Sequence, residues 1–249
     1  MHALGALLLF HLVISLGQSV HGSKIINGQI VPKNTMLYMV SVQSRNRHIC
    51  GGSLIREDIV ITAAHCEAGR PDSVLLGSQN LKSRDVIRVR IKQKFMHPNY
   101  TSAFRGKDIM ILKLSAKASS KGKHVQTIPL PKAGTKLRFD QICTVAGWGL
   151  TEDNTIVDVL RSVKLSVVSQ RVCQWRWNFR LPPNVICASG NGHIKGDCDG
   201  DSGGPLICNG VGMGVVSYGA KGCRAPYAPN VYTDVSKYIG WINEILQKN

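Results

Sequence analysis

Gly200-Asp201-Ser202-Gly203-Gly204-Pro205 sets one serine among three glycines. Glycine allows a sharp backbone turn, so this segment is suited to present a hydroxyl together with converging N–H groups. A serine hydroxyl alone is a poor nucleophile at neutral pH; it needs a base, and the base needs a group that orients it. Thr62-Ala63-Ala64-His65-Cys66 supplies a histidine just after a buried-looking strand, and Asp108-Ile109-Met110-Ile111-Leu112 supplies an aspartate at the head of another. Taken singly, each has a plainer reading as a turn serine, a solvent histidine or a capping aspartate.

Outward from these segments, the chain reads as short apolar runs separated by Gly, Pro, Asn or Asp clusters. Strands are expected at 37–43, 59–62, 86–91, 109–114, 142–146, 163–168, 205–208 and 214–217. Helical spacing emerges only at the end, where Tyr238, Ile239, Trp241, Ile242, Ile245 and Leu246 recur at intervals of three and four. An all-β body with a C-terminal helix follows. The 249 residues are 43% hydrophobic and 18% charged, enough apolar material for a core and unlike a disordered chain. Thirty-one Lys and Arg against fifteen Asp and Glu give +16, which favours an anionic partner or environment. The stretch 109–139 is free of acids and rich in lysine, and a boundary between two units is expected near residue 130.

The first 22 residues lack Asp, Glu, Lys and Arg, and their apolar run is too short to cross about 30 Å of hydrocarbon comfortably. They read as a secretory signal, with Val20 and Gly22 at the small-residue positions that direct cleavage after Gly22; an uncleaved anchor is the other reading of this run. No later stretch is long and apolar enough to span a membrane. Eight cysteines, at 50, 66, 143, 173, 187, 198, 208 and 223, therefore enter an oxidising compartment. An even count favours a disulfide framework over a metal site. No metal or cofactor is expected, and about 105 pairings stay open.

The three segments, in the order His, Asp, Ser, resemble the chymotrypsin-like (trypsin-fold) serine proteases. So do Ile25-Ile26-Asn27-Gly28, Cys50-Gly51-Gly52-Ser53-Leu54, Gly147-Trp148-Gly149, Ser217-Tyr218-Gly219 and Val231-Tyr232. The resemblance implies two six-stranded antiparallel β-barrels, about 25–130 and about 131–235, and a C-terminal α-helix, about 236–247. It implies a triad of His65, Asp108 and Ser202, in the roles established for that family, with the N–H groups of Gly200 and Ser202 as the oxyanion hole. It pairs Cys50 with Cys66, Cys143 with Cys208, Cys173 with Cys187 and Cys198 with Cys223. All four bridges are present in granzymes A and K, whereas many granzymes keep the first three.

The resemblance also implies a zymogen. A new amino group at Ile25 would bury itself against Asp201 after loss of the dipeptide Ser23-Lys24, as in the granzymes and related leukocyte granule proteases. Either a dipeptidyl peptidase or a trypsin-like enzyme cutting after Lys24 would serve. Removing 24 residues, of which only Lys24 is charged, leaves 225 residues and +15. The substrate-binding positions would be Gly196, Asp197, Asp199, Ser217, Tyr218, Gly219 and Asn230. Gly196 stands where trypsin-like members carry the pocket-floor aspartate, and Asp197 is displaced from it by one residue. A basic P1 residue met by Asp197 is the leading expectation, with an apolar or aromatic P1 as the alternative. Asp199 is expected to disfavour acidic residues close to the scissile bond.

In 86–94 the cations Arg88, Arg90, Lys92 and Lys94 fall on alternate residues, so a strand would send them to one face. That face is either simply solvated or a site for sulfated glycosaminoglycan; no nucleic-acid motif is present. Asn99-Tyr100-Thr101 is a glycosylation sequon. Trp175-Arg176-Trp177 is read as pocket-edge packing. The expected partners are protein substrates and serine protease inhibitors, and the expected location is secretory granules and the exterior. A catalytically inactive basic binding or antimicrobial protein of the same fold is the second reading.

Overall fold

Alternating burial along β-branched runs makes strands, and the two barrels form where such runs close on themselves. A computed structural model describes residues 25–121, 125–150, 157–190, 195–223 and 228–249. The expected signal at 1–22 and the dipeptide 23–24 lie outside them. The strands are β1 (Gln29–Ile30), β2 (Met39–Ser44), β3 (Arg47–Arg56), β4 (Ile59–Thr62), β5 (Ser73–Leu76), β6 (Ile87–Met96) and β7 (Met110–Leu114), followed by β8 (Ile142–Gly147), β9 (Arg161–Val168), β10 (Val185–Ser189), β11 (Pro205–Cys208), β12 (Val211–Tyr218) and β13 (Asn230–Asp234). The helices are α1 (Gln170–Trp177) and α2 (Ile239–Lys248).

The first barrel closes in the order β2-β3-β4-β7-β6-β5. The second runs β9-β10-β13-β12-β11-β8 and closes through the β8–β9 pairing, every contact being antiparallel. β1 joins the outside of β9, so the N-terminal segment belongs to the second sheet and not to the barrel that follows it in sequence.

Each barrel has its own apolar core. Val40, Leu54, Ile61, Val74, Ile111 and Leu112 fill the first, and Ile242 and Ile245 of α2 pack against it. Val145, Leu165, Leu206, Val216 and Tyr232 fill the second, together with Ile25. The four disulfides are Cys50–Cys66, Cys143–Cys208, Cys173–Cys187 and Cys198–Cys223. They are the pairs that the resemblance implied.

Two departures from the sequence reading have physical causes. The alternation of β6 holds for Ile87 to Arg90 and then breaks, because the pairing with β7 shifts between Ile91 and Gln93. An irregularity of this kind takes the side chains beyond it out of the alternation. Helix α1 was not expected because only Cys173 on it is buried. It is held by the Cys173–Cys187 bridge and by the Ser169 hydroxyl, which accepts from Val172 N–H at 3.3 Å.

Candidate active site

Asp108, fully buried two residues before β7, accepts three hydrogen bonds on its carboxylate. Oδ1 takes the backbone N–H of His65 at 2.9 Å, and Oδ2 takes His65 Nδ1–H at 2.7 Å and the Ser217 hydroxyl at 2.7 Å. Thr233 donates to its carbonyl at 2.8 Å. A carboxylate only accepts, so this arrangement fixes the His65 proton on Nδ1 and leaves Nε2 as the basic nitrogen. Ser217, expected at a substrate-binding position, commits its hydroxyl to Asp108.

His65 lies in the 3-10 turn Ala64–Gly69 that follows β4, and Cys66 ties that turn to β3. The Ser202 carbonyl accepts from Gly51 N–H of β3 at 2.7 Å, and Cys66 Sγ lies 3.8 Å from the same oxygen. The nucleophile loop is thus clasped by β3 on one side. On the other, β12 holds it through Gly203 N–H to Val216 O and Val216 N–H to Gly204 O. Gly200 and Gly203 take φ of 98° and 81°, and a Cβ on Gly203 would overlap Thr62 Oγ1. Neither position admits a side chain without movement of its neighbours.

The N–H groups flanking the hydroxyl divide into two sets. Those of Asp201 and Gly203 are taken by Cys198 O and Val216 O, both at 2.9 Å. No backbone acceptor among the described residues takes those of Gly200 and Ser202. The Gly200 peptide is anchored from behind, where its oxygen accepts from His48 Nε2 at 2.8 Å. A one-directional chain stands behind His48: Arg88 donates to Gln43 Oε1 at 2.8 Å, Gln43 to Ser41 Oγ at 3.2 Å, and Ser41 to His48 Nδ1 at 2.8 Å. Burial holds the His48 pKa below its usual value, which keeps the ring neutral and both roles intact. The sequence reading missed His48, since only the fold brings a residue of β3 to Gly200.

Asp201 is fully buried beneath Gly147 and Gly149; its oxygens accept from Gly149 N–H at 2.8 Å and Cys198 N–H at 2.9 Å. Burial pushes its pKa up to about 7, opposed by the Cys198 hydrogen bond and reinforced by Asp197. No cation pairs with it among the described residues. Ile25 is also fully buried, and Ile26 bridges to Gly196.

Asp197 is 4% exposed and turned toward β13. Tyr232 OH donates to Oδ1, and Asn230 Nδ2 donates to Oδ2 at 2.8 Å. Burial pushes its pKa up to about 6, against those two hydrogen bonds. With its amide nitrogen on Asp197, Asn230 turns Oδ1 toward Gly196, where a Cβ would overlap it. Gly219 lies beside the same amide, and Asp199 is exposed.

An aromatic shelf is built around Tyr218, next to Gly219 in sequence. Tyr218 packs on Phe104 at 4.7 Å and on Trp177 at 5.4 Å, and Phe179 closes the group. Trp177 packs into this aromatic group and donates to Pro229 O at 2.9 Å, whereas Trp175 is 72% exposed beneath Arg176. Phe104 and Phe179 carry no local signal; they become a shelf only because a loop of the first barrel meets one of the second.

The basic face of β6 is less uniform than its sequence. Arg88 is bound to Gln43 and Ser73, and Lys94 pairs with Glu67 at 2.6 Å. Among the described residues, Arg90 and Lys92 are exposed and free of ion pairs. Asn99 is exposed.

Comparison with known proteins agrees with this geometry. The family described as Trypsin matches residues 25–242. Duodenase-1 of Bos taurus is 37% identical over 247 residues, covering 97% of this chain and 96% of its own length. Granzyme-like protein 1 of Rattus norvegicus is 38% identical over 252 residues, covering 98% and 99%. Cathepsin G of Mus musculus is 35% identical over 246 residues, covering 97% and 92%. A histidine held by a buried aspartate, a serine on a glycine-walled turn and a family match over nearly the whole chain have one meaning: this protein belongs to the trypsin family of serine endopeptidases.

Proposed function

We propose that the enzyme cleaves peptide bonds after Arg or Lys, once Ile25 has become its amino terminus. Ser202 Oγ attacks the scissile carbonyl while His65 Nε2 takes its proton, and the oxyanion that forms is met by the N–H groups of Gly200 and Ser202. His65 then gives the proton to the leaving amine as the C–N bond breaks, leaving an acyl-enzyme. Water repeats the sequence with His65 as base and frees Ser202. Asp108 stabilises the imidazolium at each stage.

The observation that supports the P1 assignment is Asp197, a buried carboxylate next to Gly196 with no cationic partner among the described residues. Beside it Asn230 turns an oxygen, an acceptor, toward Gly196. A P1 Arg or Lys brings only donors and the missing charge, whereas an apolar P1 would bury the carboxylate further without compensation. A positional-scanning peptide library on protein beginning at Ile25 tests this. Arg and Lys are expected to dominate P1, and a preference for Phe, Tyr or Leu would refute the assignment.

The same electrostatics support activation by cleavage. The buried Asp201 carboxylate has no cationic partner among the described residues, and an ammonium at the buried Ile25 would supply one. Secretion, granule storage, glycan at Asn99 and retention by sulfated glycosaminoglycan through Arg90 and Lys92 complete the proposal. They rest on the leader-like first 22 residues, the sequon, the net charge and the granzyme-like and cathepsin G relatives.

A further inference from the structure

Three arginines surround a groove of about 710 Å³ that the catalytic geometry does not use. Arg45 and Arg47 come from the β2–β3 hairpin and Arg70 from the end of the Ala64–Gly69 turn; Ile49 and Ala68 supply apolar wall. All three arginines are exposed, and none has an ion-pair partner within 4.0 Å among the described residues. One acid, Asp72, lines the groove and already accepts from Arg45 N–H at 2.7 Å and from the Ser73 hydroxyl at 2.6 Å. Glu67 in the same turn is paired with Lys94. The groove therefore keeps a net positive charge.

Two of these arginines stand where another residue would suit the backbone better. Arg45 and Asn46 form a two-residue hairpin loop with φ of 47° and 64°, the geometry for which Asn-Gly is preferred. Arg70 terminates its turn with φ 53°, a position favouring Gly or Asn. Long cationic side chains at strained positions around one groove are not what hairpin stability alone selects.

The groove's place relative to the nucleophile indicates its occupant. The pocket of Gly196, Asp197 and Gly219 lies on the β12 side of the nucleophile loop, and β3 clasps the opposite side through Gly51 and His48. His48 lies between Arg47 and Ile49 in sequence. A substrate whose acyl part fills the pocket thus sends its leaving part toward the arginine groove. We propose that this groove binds acidic residues of the substrate on the leaving-group side, from about the second residue beyond the scissile bond, while Asp199 repels acids next to the bond. The proposal rests on the endopeptidase reading of Ser202 and on the pocket assignment above.

The test uses the protein beginning at Ile25 and matched internally quenched peptides that differ only at the second to fourth residues after the cut, as Asp/Glu, Ser/Gln or Lys. A chromogenic amide with nothing beyond the scissile bond but the dye serves as control. At low ionic strength the acidic peptide is expected to show about tenfold higher kcat/KM than the neutral one, an advantage that shrinks in salt. The combined variant Arg45→Asn, Arg47→Gln, Arg70→Asn should lose that advantage and keep its rate on the chromogenic amide. Asn suits both left-handed positions, so the variant should fold as well as the wild type. Equal rates on acidic and neutral peptides, or an advantage that survives the three substitutions, would overturn the proposal. Loss of labelled-heparin binding in the variant with peptide selectivity unchanged would overturn it too, assigning the groove to polysaccharide. Failure of the chromogenic amide in the wild type would instead count against the catalytic reading.

Discussion

Replacing Asp197 by Asn removes the carboxylate proposed to meet a P1 cation, at nearly constant volume, and leaves Tyr232 an acceptor. In the native protein the Asp197 pKa is raised to about 6 by burial, so the carboxyl is about one-tenth ionised at pH 5 and almost wholly ionised at pH 8. A charge-assisted contact in such a site is worth roughly 1.5–3 kcal/mol, or about 10- to 150-fold in relative rate when fully expressed in the transition state. The assay is competition between two peptides identical except for Lys or Phe at P1, with the ratio of kcat/KM followed from pH 5 to 8. Both substrates undergo the same chemistry at the same triad, so the pH dependence they share cancels in the ratio, and what remains reports the free enzyme's pocket. In the wild type the Lys/Phe ratio should climb about tenfold through a midpoint near 6; in Asp197→Asn it should be low and flat. A wild-type ratio independent of pH, or one unchanged by the substitution, would refute the role given to this carboxylate. Gly196→Asp would require the Asn230 amide to turn aside, because its Cβ would overlap Asn230 Oδ1.

Asp197 also makes stability depend on pH. Its native pKa of about 6 lies above the ordinary 3.8, so the fold favours the neutral acid, and stability present below pH 4 is lost as pH rises through 6, by about 3 kcal/mol in all. Thermal melts of the inactive Ser202→Ala background should show Asp197→Asn gaining on the parent between pH 4 and 7 by roughly 5–10 °C, and parallel curves would contradict this. His48→Leu should lower kcat about tenfold with KM nearly unchanged, because it frees the Gly200 peptide; His48→Gln, which keeps an N–H donor, should recover most of that loss. Asp201→Asn in the processed protein should cut activity by about 10²- to 10³-fold, the cost of unpairing a buried ammonium, and activity equal to wild type would show that Ile25 and Asp201 are not paired.

The parts of the molecule legible in the sequence are those whose signal is local. Gly200 to Pro205 announces its turn because only glycine tolerates the backbone there, and 59–62 and 205–208 announce strands because both faces are buried. β3 was not legible because Gly51 and Gly52 break its apolar run, although Gly51 is the residue that clasps Ser202. β5, β10 and β13 are runs of four or five residues whose pairing partners, and not their own pattern, make them strands. His48, Phe104 and the arginine groove were invisible for the same reason. Each acquires its role from a residue far away in sequence, as His48 does from Gly200, 152 positions on. Ser217 was expected at a substrate-binding position, and the bond from its hydroxyl to Asp108 was not legible because it depends on how the two barrels meet.

The measurement that reaches the central claim most directly is covalent labelling of the protein beginning at Ile25 with a fluorophosphonate probe, read by intact mass and peptide mapping beside hydrolysis of a peptide substrate. One probe per molecule on Ser202, with hydrolysis lost in proportion to labelling and both absent in Ser202→Ala, is the expected result. A wild-type protein that takes no label, or a Ser202→Ala protein labelled equally, would contradict the assignment of Ser202 as the nucleophile of a serine endopeptidase.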